Sequence, residues 1–269
     1  MNTQIFVTLT SGRSGTGKLC SVLSGIPDMV AEHEGEPCYS TVLHANISDP
    51  AIGRQFVVDK LRYIERLGCR YYCDTSFVIC EGFVEHFLEL GVVPSAILLR
   101  RDPRLVASSM YALGIVPGRP YHWNELYLPQ NPYFLTPSDP DVLGFPNWET
   151  AHDYQLCFWF CCEIERRARR YSKMLRQRGA RVYEIWTDDL SDHNSVTTMT
   201  EHFGLGPVSR VSSERINAKD ELKDSVMPDD DTLRAYEQHV LDCTNRFDAP
   251  GARALPHTNL RVAVEPSGL

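Results

Sequence analysis

The amino-acid sequence predicts an α/β protein, a P-loop-type three-layer sandwich with a central parallel sheet of about five strands and helices on both faces. Short β-rich runs alternate with longer segments whose apolar residues recur at helical spacing. The runs are apolar almost throughout, which is typical of parallel strands buried on both faces. A glycine-rich turn follows the first run directly, and such turns join a strand to a helix around bound phosphate.

Each element is predicted from its own local pattern. Strands are expected, in chain order, at IFVTLT (5–10), MVAEHE (29–34), RYYCDTS (70–76), SAILLRR (95–101) and RVYEIWT (181–187). Helices are expected between or after them at 18–25, 50–68, 77–91, 104–114, 149–178 and 231–246. Gly25 and Gly68 are typical helix stops, and Pro103 suits the first turn of the helix that follows the fourth strand.

The chain of 269 residues, 43% of them hydrophobic, is long enough for one large core. We therefore expect a single domain over 1–269, with a loose tail at about 247–269. A segment rich in proline and aromatic residues, at about 115–147, is too long for an ordinary connection. It is expected to form an ordered substrate lid in which Tyr121, His122 and Trp123 contact a small organic acceptor. The alternative is a loop that only packs on the domain or joins a dimer.

Charge and composition exclude several classes of function. The net charge is −8 and the sequence pI is near 5.6, so no nucleic-acid partner is expected. No basic leader with an apolar core and no long apolar run is present in the sequence, which predicts a cytoplasmic protein without a membrane partner, as a monomer or homodimer. The nine cysteines show no C-x-x-C pair, and we interpret them as reduced core residues.

The glycine-rich turn fits the pattern G-x-x-x-x-G-K from Gly12 to Lys18, but Leu19 stands where a magnesium-binding hydroxyl is usual. The glycines at 12, 15 and 17 allow successive N–H groups to face an anion, and Arg13 and Lys18 can add charged hydrogen bonds. Leucine cannot hold Mg²⁺ against phosphates, which argues against an ATP-dependent kinase. A sulfuryl group, which carries less charge than a phosphoryl group, needs no such metal.

A second motif, LLRRDPRLVASSMYALG, spans 98–114. Arg101 ends the fourth strand, and Ser109 follows about two helical turns later, so both can face one phosphate beside the sheet. The alternative is that Asp102 only caps the helix while Arg101 and Arg104 are solvated.

Together the two motifs resemble the PAPS-dependent sulfotransferase superfamily, bacterial small-molecule enzymes in particular. The resemblance implies that Arg13, Ser14, Gly15 and Thr16 hold the 5′-phosphosulfate of the donor, with Gly17 and Lys18 beside them. It implies that Arg101 and Ser109 bind the 3′-phosphate, that PAP is the product and that no metal is required. The family's late basic loop corresponds to 214–223, where Arg215 and Lys219 are candidates for the 3′-phosphate; a solvated helix face is the alternative.

A base is needed to take the proton of the acceptor, and VAEHEGEP (30–37) ends the second strand. His33 is favoured because its ordinary pKa lies near 6.5, whereas a carboxylate needs burial to raise its pKa. Glu34 is the next candidate, and Glu36 and Glu32 remain open. Arg13 is expected to stabilise the departing phosphate electrostatically rather than to donate a proton.

After the third strand, Ser76, with Asp74 and Thr75, either orients the acceptor or the cofactor or caps the following helix. The family resemblance therefore implies a sulfotransferase that moves the sulfuryl group of PAPS to a hydroxyl or amine of a small molecule by in-line displacement. A P-loop small-molecule kinase that uses ATP and Mg²⁺ is the first alternative. A nucleotide-binding regulator without catalysis is the second.

Overall fold

The computed structural model describes residues 3–123, 126–129, 131–208 and 227–244. The strands are β1 (Gln4–Leu9), β2 (Met29–Glu32), β3 (Tyr71–Asp74), β4 (Ser95–Arg100), β5 (Tyr121–Trp123), β6 (Leu126–Leu128) and β7 (Val182–Trp186). The α-helices are α1 (Thr16–Leu23), α2 (Leu43–Ser48), α3 (Pro50–Leu67), α4 (Val84–Glu89), α5 (Pro103–Ala112), α6 (Asp153–Gln177), α7 (His193–Phe203) and α8 (Asp230–Cys243).

The central sheet has five strands in the order β2-β3-β1-β4-β7, and every neighbouring pair is parallel. Because the pairing is parallel, all five carboxyl ends meet at one edge of the sheet. The first strand lies at the centre and β2 lies at the outside. The predicted fold class is confirmed by this arrangement.

The two faces of the sheet carry separate cores, as alternation along a strand requires. Ile5, Val7 and Leu9 of β1 face a core that includes residues of α3, α4, α5 and α6. Phe6 faces the opposite core, together with residues of α1 and α7. Helices on both faces make the three layers of the sandwich.

The structure corrects the predicted helix at 77–91. A 3-10 turn (Phe77–Glu81) comes first, and α4 begins only at Val84. Gly82 between them has φ +125°, a backbone conformation outside the helical region that glycine adopts most readily. The second strand also ends at Glu32 rather than at residue 34.

The segment 115–147 is anchored to the domain from residue 131 onward. The indole Nε1 of Trp159 donates to the carbonyl of Leu143 at 2.9 Å. The carboxylate of Glu81 accepts the backbone N–H of Leu135 at 2.8 Å, and Phe134 packs edge-on against Phe160 with ring centroids 4.9 Å apart. The part from 131 onward thus packs on α6 and the turn after β3, and the β5–β6 hairpin lies before it.

Among the helices of the described ranges, none combines the length and the apolar character needed to cross a membrane.

Candidate anion-binding site

The glycine-rich loop, residues 10–15, connects the central strand β1 to α1 at the carboxyl edge of the sheet. Gly15 caps the helix with φ +86°, and Arg13 also has a positive φ of 61°. Only glycine adopts such a conformation without steric cost. The loop therefore makes its sharp turn at the place where the sequence pattern puts a phosphate cradle.

Two side chains from neighbouring strand ends hold the loop by its carbonyl groups. Nη1 of Arg101, just after β4, donates to the carbonyl of Arg13 at 2.5 Å. The hydroxyl of Thr187, just after β7, donates to the carbonyl of Ser14 at 2.6 Å and contacts the carbonyl of Arg100 at 3.0 Å. Because these carbonyls point toward Arg101 and Thr187, the loop can present its N–H groups on another side.

The N–H groups at the start of α1 remain available. Within the ranges that the structure describes, the backbone N–H groups of Thr16, Gly17 and Lys18 donate no hydrogen bond. The first N–H groups of a helix have no partner inside the helix, and they carry the positive end of its dipole. An anion is the ligand that such a terminus binds best.

The two motifs of the sequence are in direct contact although they lie far apart in the chain. Nε of Arg13 donates to the hydroxyl of Ser109 at 3.1 Å across 96 residues of sequence. Ser109 lies on α5, which begins at Pro103 and is capped by Asp102 through the N–H of Arg104 at 2.8 Å. Asp102 thus caps the helix, but Arg101 is not merely solvated, because it reaches the loop. Arg13, Arg101 and Ser109 form one cluster.

Two other basic residues near the loop, Arg100 and Lys18, contact other groups. Arg100 forms ion pairs with Glu165 at 2.6 Å and with Glu184 at 2.8 Å, so its charge is neutralised. The ammonium of Lys18 donates to the hydroxyl of Ser191 beyond β7. Arg101 and Arg13 are the basic side chains that contact the loop and Ser109.

Leu19 faces away from this cluster. Its side chain is fully buried in the core beneath α1, together with Phe6 and Val22. The other small loop residues are internal too: Thr16 is buried, and the hydroxyl of Ser14 pairs with that of Ser11 at 2.9 Å. The residue that breaks the magnesium-binding pattern is thus part of the hydrophobic core.

The candidate base lies on the loop 33–37, which follows the outer strand β2. His33, Glu34 and Glu36 are exposed there, whereas Glu32 accepts hydrogen bonds from two tyrosine hydroxyls at 2.6 Å each, and this pairing counts against it as a base. The expected alternation of side chains does not extend past Glu32, because Glu34 has φ +55°. Partial desolvation and the carboxylate of Asp74 raise the pKa of Glu34, while His33 opposes the rise.

Thr75, directly after β3, contacts the imidazole of His33. Its hydroxyl donates to the carbonyl of Glu32 at 3.2 Å and lies 3.3 Å from Nδ1 of His33. A hydroxyl has one proton, and a carbonyl can only accept. When the hydroxyl donates to that carbonyl, its oxygen accepts from Nδ1–H, and Nε2 of His33 keeps the lone pair that can take a proton.

The other predicted substrate- and cofactor-binding residues are buried, packed against another ring or outside the described side chains. Asp74 is buried and accepts the N–H of Ser76 at 2.9 Å, and Ser76 itself is fully buried. The ring of Tyr121 packs edge-on against Tyr133 at 5.9 Å. For His122 and Trp123 the structure describes the backbone in β5 alone, and Arg215 and Lys219 lie outside the described residues.

Two residues that hold the loops of the site, Thr187 and Lys60, were not predicted from the sequence. Thr187 had a weak signal, since it is the last residue of the fifth predicted strand, at the edge where ligands bind. Lys60 had a clearer one: it stands four residues after Phe56 and four before Ile64, so it falls on the buried face of α3.

The chain matches no protein-family model, and a comparison with curated proteins finds no match.

Proposed function

We propose that this protein is a sulfotransferase that moves the sulfuryl group of 3′-phosphoadenosine-5′-phosphosulfate to a hydroxyl or amine of a small molecule. One observation carries the proposal: Arg13 of the glycine-rich loop donates to Ser109 of the second motif at 3.1 Å. The two sequence motifs therefore belong to one site. That site combines open helix N–H groups with Arg13 and Arg101.

The residues fit a ligand that carries two anionic groups. The N–H groups of Thr16, Gly17 and Lys18 suit the 5′-phosphosulfate, since they lie at the positive end of α1. Arg101 and Ser109 suit the 3′-phosphate, which accepts charge-assisted hydrogen bonds from a guanidinium group. Arg13 belongs to the loop before α1 and its side chain contacts Ser109, so it can serve either anion.

The burial of Leu19 favours sulfuryl transfer over phosphoryl transfer from ATP. A P-loop kinase places a serine or threonine hydroxyl on Mg²⁺ after its lysine. The side chain at this position is apolar and wholly inside the core, and the lysine before it contacts Ser191. The loop thus supplies N–H groups and guanidinium groups in place of a metal ligand.

The proposed reaction needs a base and a stabilised leaving group. The acceptor oxygen or nitrogen attacks the sulfur atom in line while the bond between sulfur and the bridging oxygen breaks. The acceptor proton passes to Nε2 of His33, or to Glu34 as the second candidate. The charge that develops on the departing phosphate is stabilised by Arg13 and by the open N–H groups.

Thermal unfolding tests the proposal without knowledge of the acceptor. A ligand at 100 times its dissociation constant raises the free energy of unfolding by about 2.7 kcal/mol when it binds only the native state. We expect adenosine 3′,5′-bisphosphate in EDTA to raise the melting temperature by several degrees, and adenosine 5′-monophosphate to raise it far less.

The alternatives give different results in the same measurement. Stabilisation by ATP with Mg²⁺, and none by the bisphosphate, would favour a kinase. Binding of the bisphosphate with no consumption of labelled donor across a panel of alcohols, phenols and amines would favour a non-catalytic regulator.

A further inference from the structure

Lys60 of α3 is fully buried, which is rare for a lysine. Its ammonium group forms an ion pair with Asp74 at 2.8 Å. It also donates to the carbonyl of Gly35 at 2.8 Å and to that of Pro37 at 3.2 Å. The ammonium group therefore has two carbonyl acceptors and one ion-pair partner.

Three tyrosine rings enclose the same group. The ammonium nitrogen lies 5.4 Å from the ring centroid of Tyr39, 5.6 Å from that of Tyr63 and 5.7 Å from that of Tyr72. Cations at such distances are attracted by aromatic faces. Hydroxyls of two of these tyrosines also bind Glu32, so the rings are fixed in turn.

The partners of Lys60 belong to two segments that flank His33: the loop 33–37 and the end of β3. The carbonyls of Gly35 and Pro37 belong to the loop 33–37. Asp74 ends β3 and directly precedes Thr75, whose hydroxyl contacts His33. Gly35 has no room for a side chain, because a Cβ there would lie 2.4 Å from a carboxylate oxygen of Glu32. The loop thus packs closely on Glu32 at Gly35, and the buried ammonium group joins it to the end of β3.

We propose that Lys60 is a positioning residue that holds the loop 33–37 against the end of β3, so that His33 keeps its proton on Nδ1 and presents Nε2 to the acceptor. This inference rests on the proposed function, since it assigns His33 the acceptor proton. Lys60 itself touches neither donor nor acceptor in this scheme.

The working variant is Lys60→Met combined with Asp74→Asn. Lys60→Met alone would leave a buried carboxylate without its partner, which is strongly destabilising, whereas removal of both charges is often tolerated. Arg62→Met removes one positive charge from the exposed face of the same helix and serves as the surface control.

Nitrogen NMR of labelled histidine distinguishes the two tautomers directly. The spectra are recorded at a pH near 8.5, where histidine is generally neutral. The variant His33→Gln identifies which signal belongs to His33. We expect the Nδ1–H form in the wild type and in Arg62→Met, and a mixture in the double variant. Amide hydrogen exchange at 33–38 should become about tenfold or more faster in the double variant, while exchange in α7 and affinity for adenosine 3′,5′-bisphosphate change less than about twofold.

An unchanged His33 tautomer or unchanged exchange at 33–38 would overturn the inference. Exchange that rises equally across the chain, or failure of the double variant to fold, would also overturn it, since Lys60 would then support the whole domain. These readouts need no bound donor. Failure of the wild type to bind the bisphosphate would instead count against the proposed function.

Discussion

At the scale of single residues, the guanidinium group of Arg101 has two tasks. It donates to the carbonyl of Arg13 and so turns the loop, and we assign it to the 3′-phosphate. Ser109 contributes one neutral hydroxyl and accepts from Arg13. The arginine therefore matters more to donor binding than the serine.

We predict that Arg101→Ala weakens binding of adenosine 3′,5′-bisphosphate by about 10- to 150-fold, since a hydrogen bond to a charged group is worth about 1.5–3 kcal/mol. Ser109→Ala should weaken it by about 2- to 10-fold, as expected for about 0.5–1.5 kcal/mol. Titration calorimetry measures both. The control is Arg62→Ala, an exposed arginine on α3; equal affinities in all three variants would contradict the placement of the phosphate.

At the scale of elements, the loop and α1 depend on the absence of a side chain at residue 15. Gly15 has φ +86°, and a Cβ there would lie 2.7 Å from Cγ2 of Thr187. Gly68, at the end of α3, has a similar φ of +62° but open space around it. Substitution of Gly68 therefore measures the energetic cost of the backbone conformation alone, and substitution of Gly15 adds the cost of the contact with Thr187.

We predict that Gly68→Ala costs about 1–2 kcal/mol of stability, the price of a left-handed conformation, and that Gly15→Ala costs clearly more and abolishes bisphosphate binding. Serine lacks the methyl group of threonine but keeps the hydroxyl, so adding Thr187→Ser to Gly15→Ala should recover part of the lost stability. Urea unfolding measures all three variants. No recovery in the double variant would show that the methyl contact is unimportant.

The accuracy of the sequence prediction also varies by element. The five central strands follow from runs such as that of β1, whose interior is buried on both faces. The single helix predicted at 77–91 is wrong because Gly82 interrupts it with φ +125°. One glycine in an apolar stretch is not enough to predict that conformation from the sequence. α2 and the β5–β6 hairpin were missed because each has only a few residues and no full period of apolar spacing.

The candidate site was predictable to the extent that it follows strand ends. The glycine turn, Arg101 and Ser109 could be placed because the carboxyl ends of parallel strands share one edge. The hydrogen bond between Arg13 and Ser109 could not, since it depends on side chains from elements 96 residues apart. The tautomer of His33 likewise depends on a hydroxyl from β3 that is distant in sequence.

At the scale of the whole molecule, Glu81 links the turn after β3 to the segment that begins at residue 131. It is fully buried, and one of its carboxylate oxygens has no hydrogen-bond partner among the described residues. Burial raises its pKa well above the ordinary value, although the N–H of Leu135 and the charge of Arg167 oppose the rise. The folded protein therefore binds a proton here more tightly than the unfolded chain does.

The sign of the pH effect follows from this difference. The pKa of Glu81 is higher in the folded state, so protonation of Glu81 stabilises the fold. This contribution is complete below the unfolded pKa of about 4.3 and is lost as the pH rises through the folded pKa. Glu81→Gln keeps an oxygen for the N–H of Leu135 and carries no charge. We predict that its free energy of unfolding exceeds that of the wild type at pH near 8, with the difference shrinking toward pH near 4.

Urea unfolding at a series of pH values measures this difference. Glu65→Gln, an exposed position on α3, removes the same charge from the surface and should show no comparable trend. A Glu81→Gln protein that is less stable than the wild type at pH near 8 would contradict the prediction, because it would mean that the charged carboxylate is the stabilising form.

The order of the strands assigns the two halves of the proposed chemistry to different parts of the sheet. The loop that we assign to the donor follows β1 at the centre, and the candidate base follows β2 at the rim, with β3 between them. A loop that leaves an outermost strand can change its length and sequence without disturbing inner pairing. Changes in this loop that keep His33 and the two carbonyls bound by Lys60 can therefore alter acceptor preference while the central half of the domain stays unchanged.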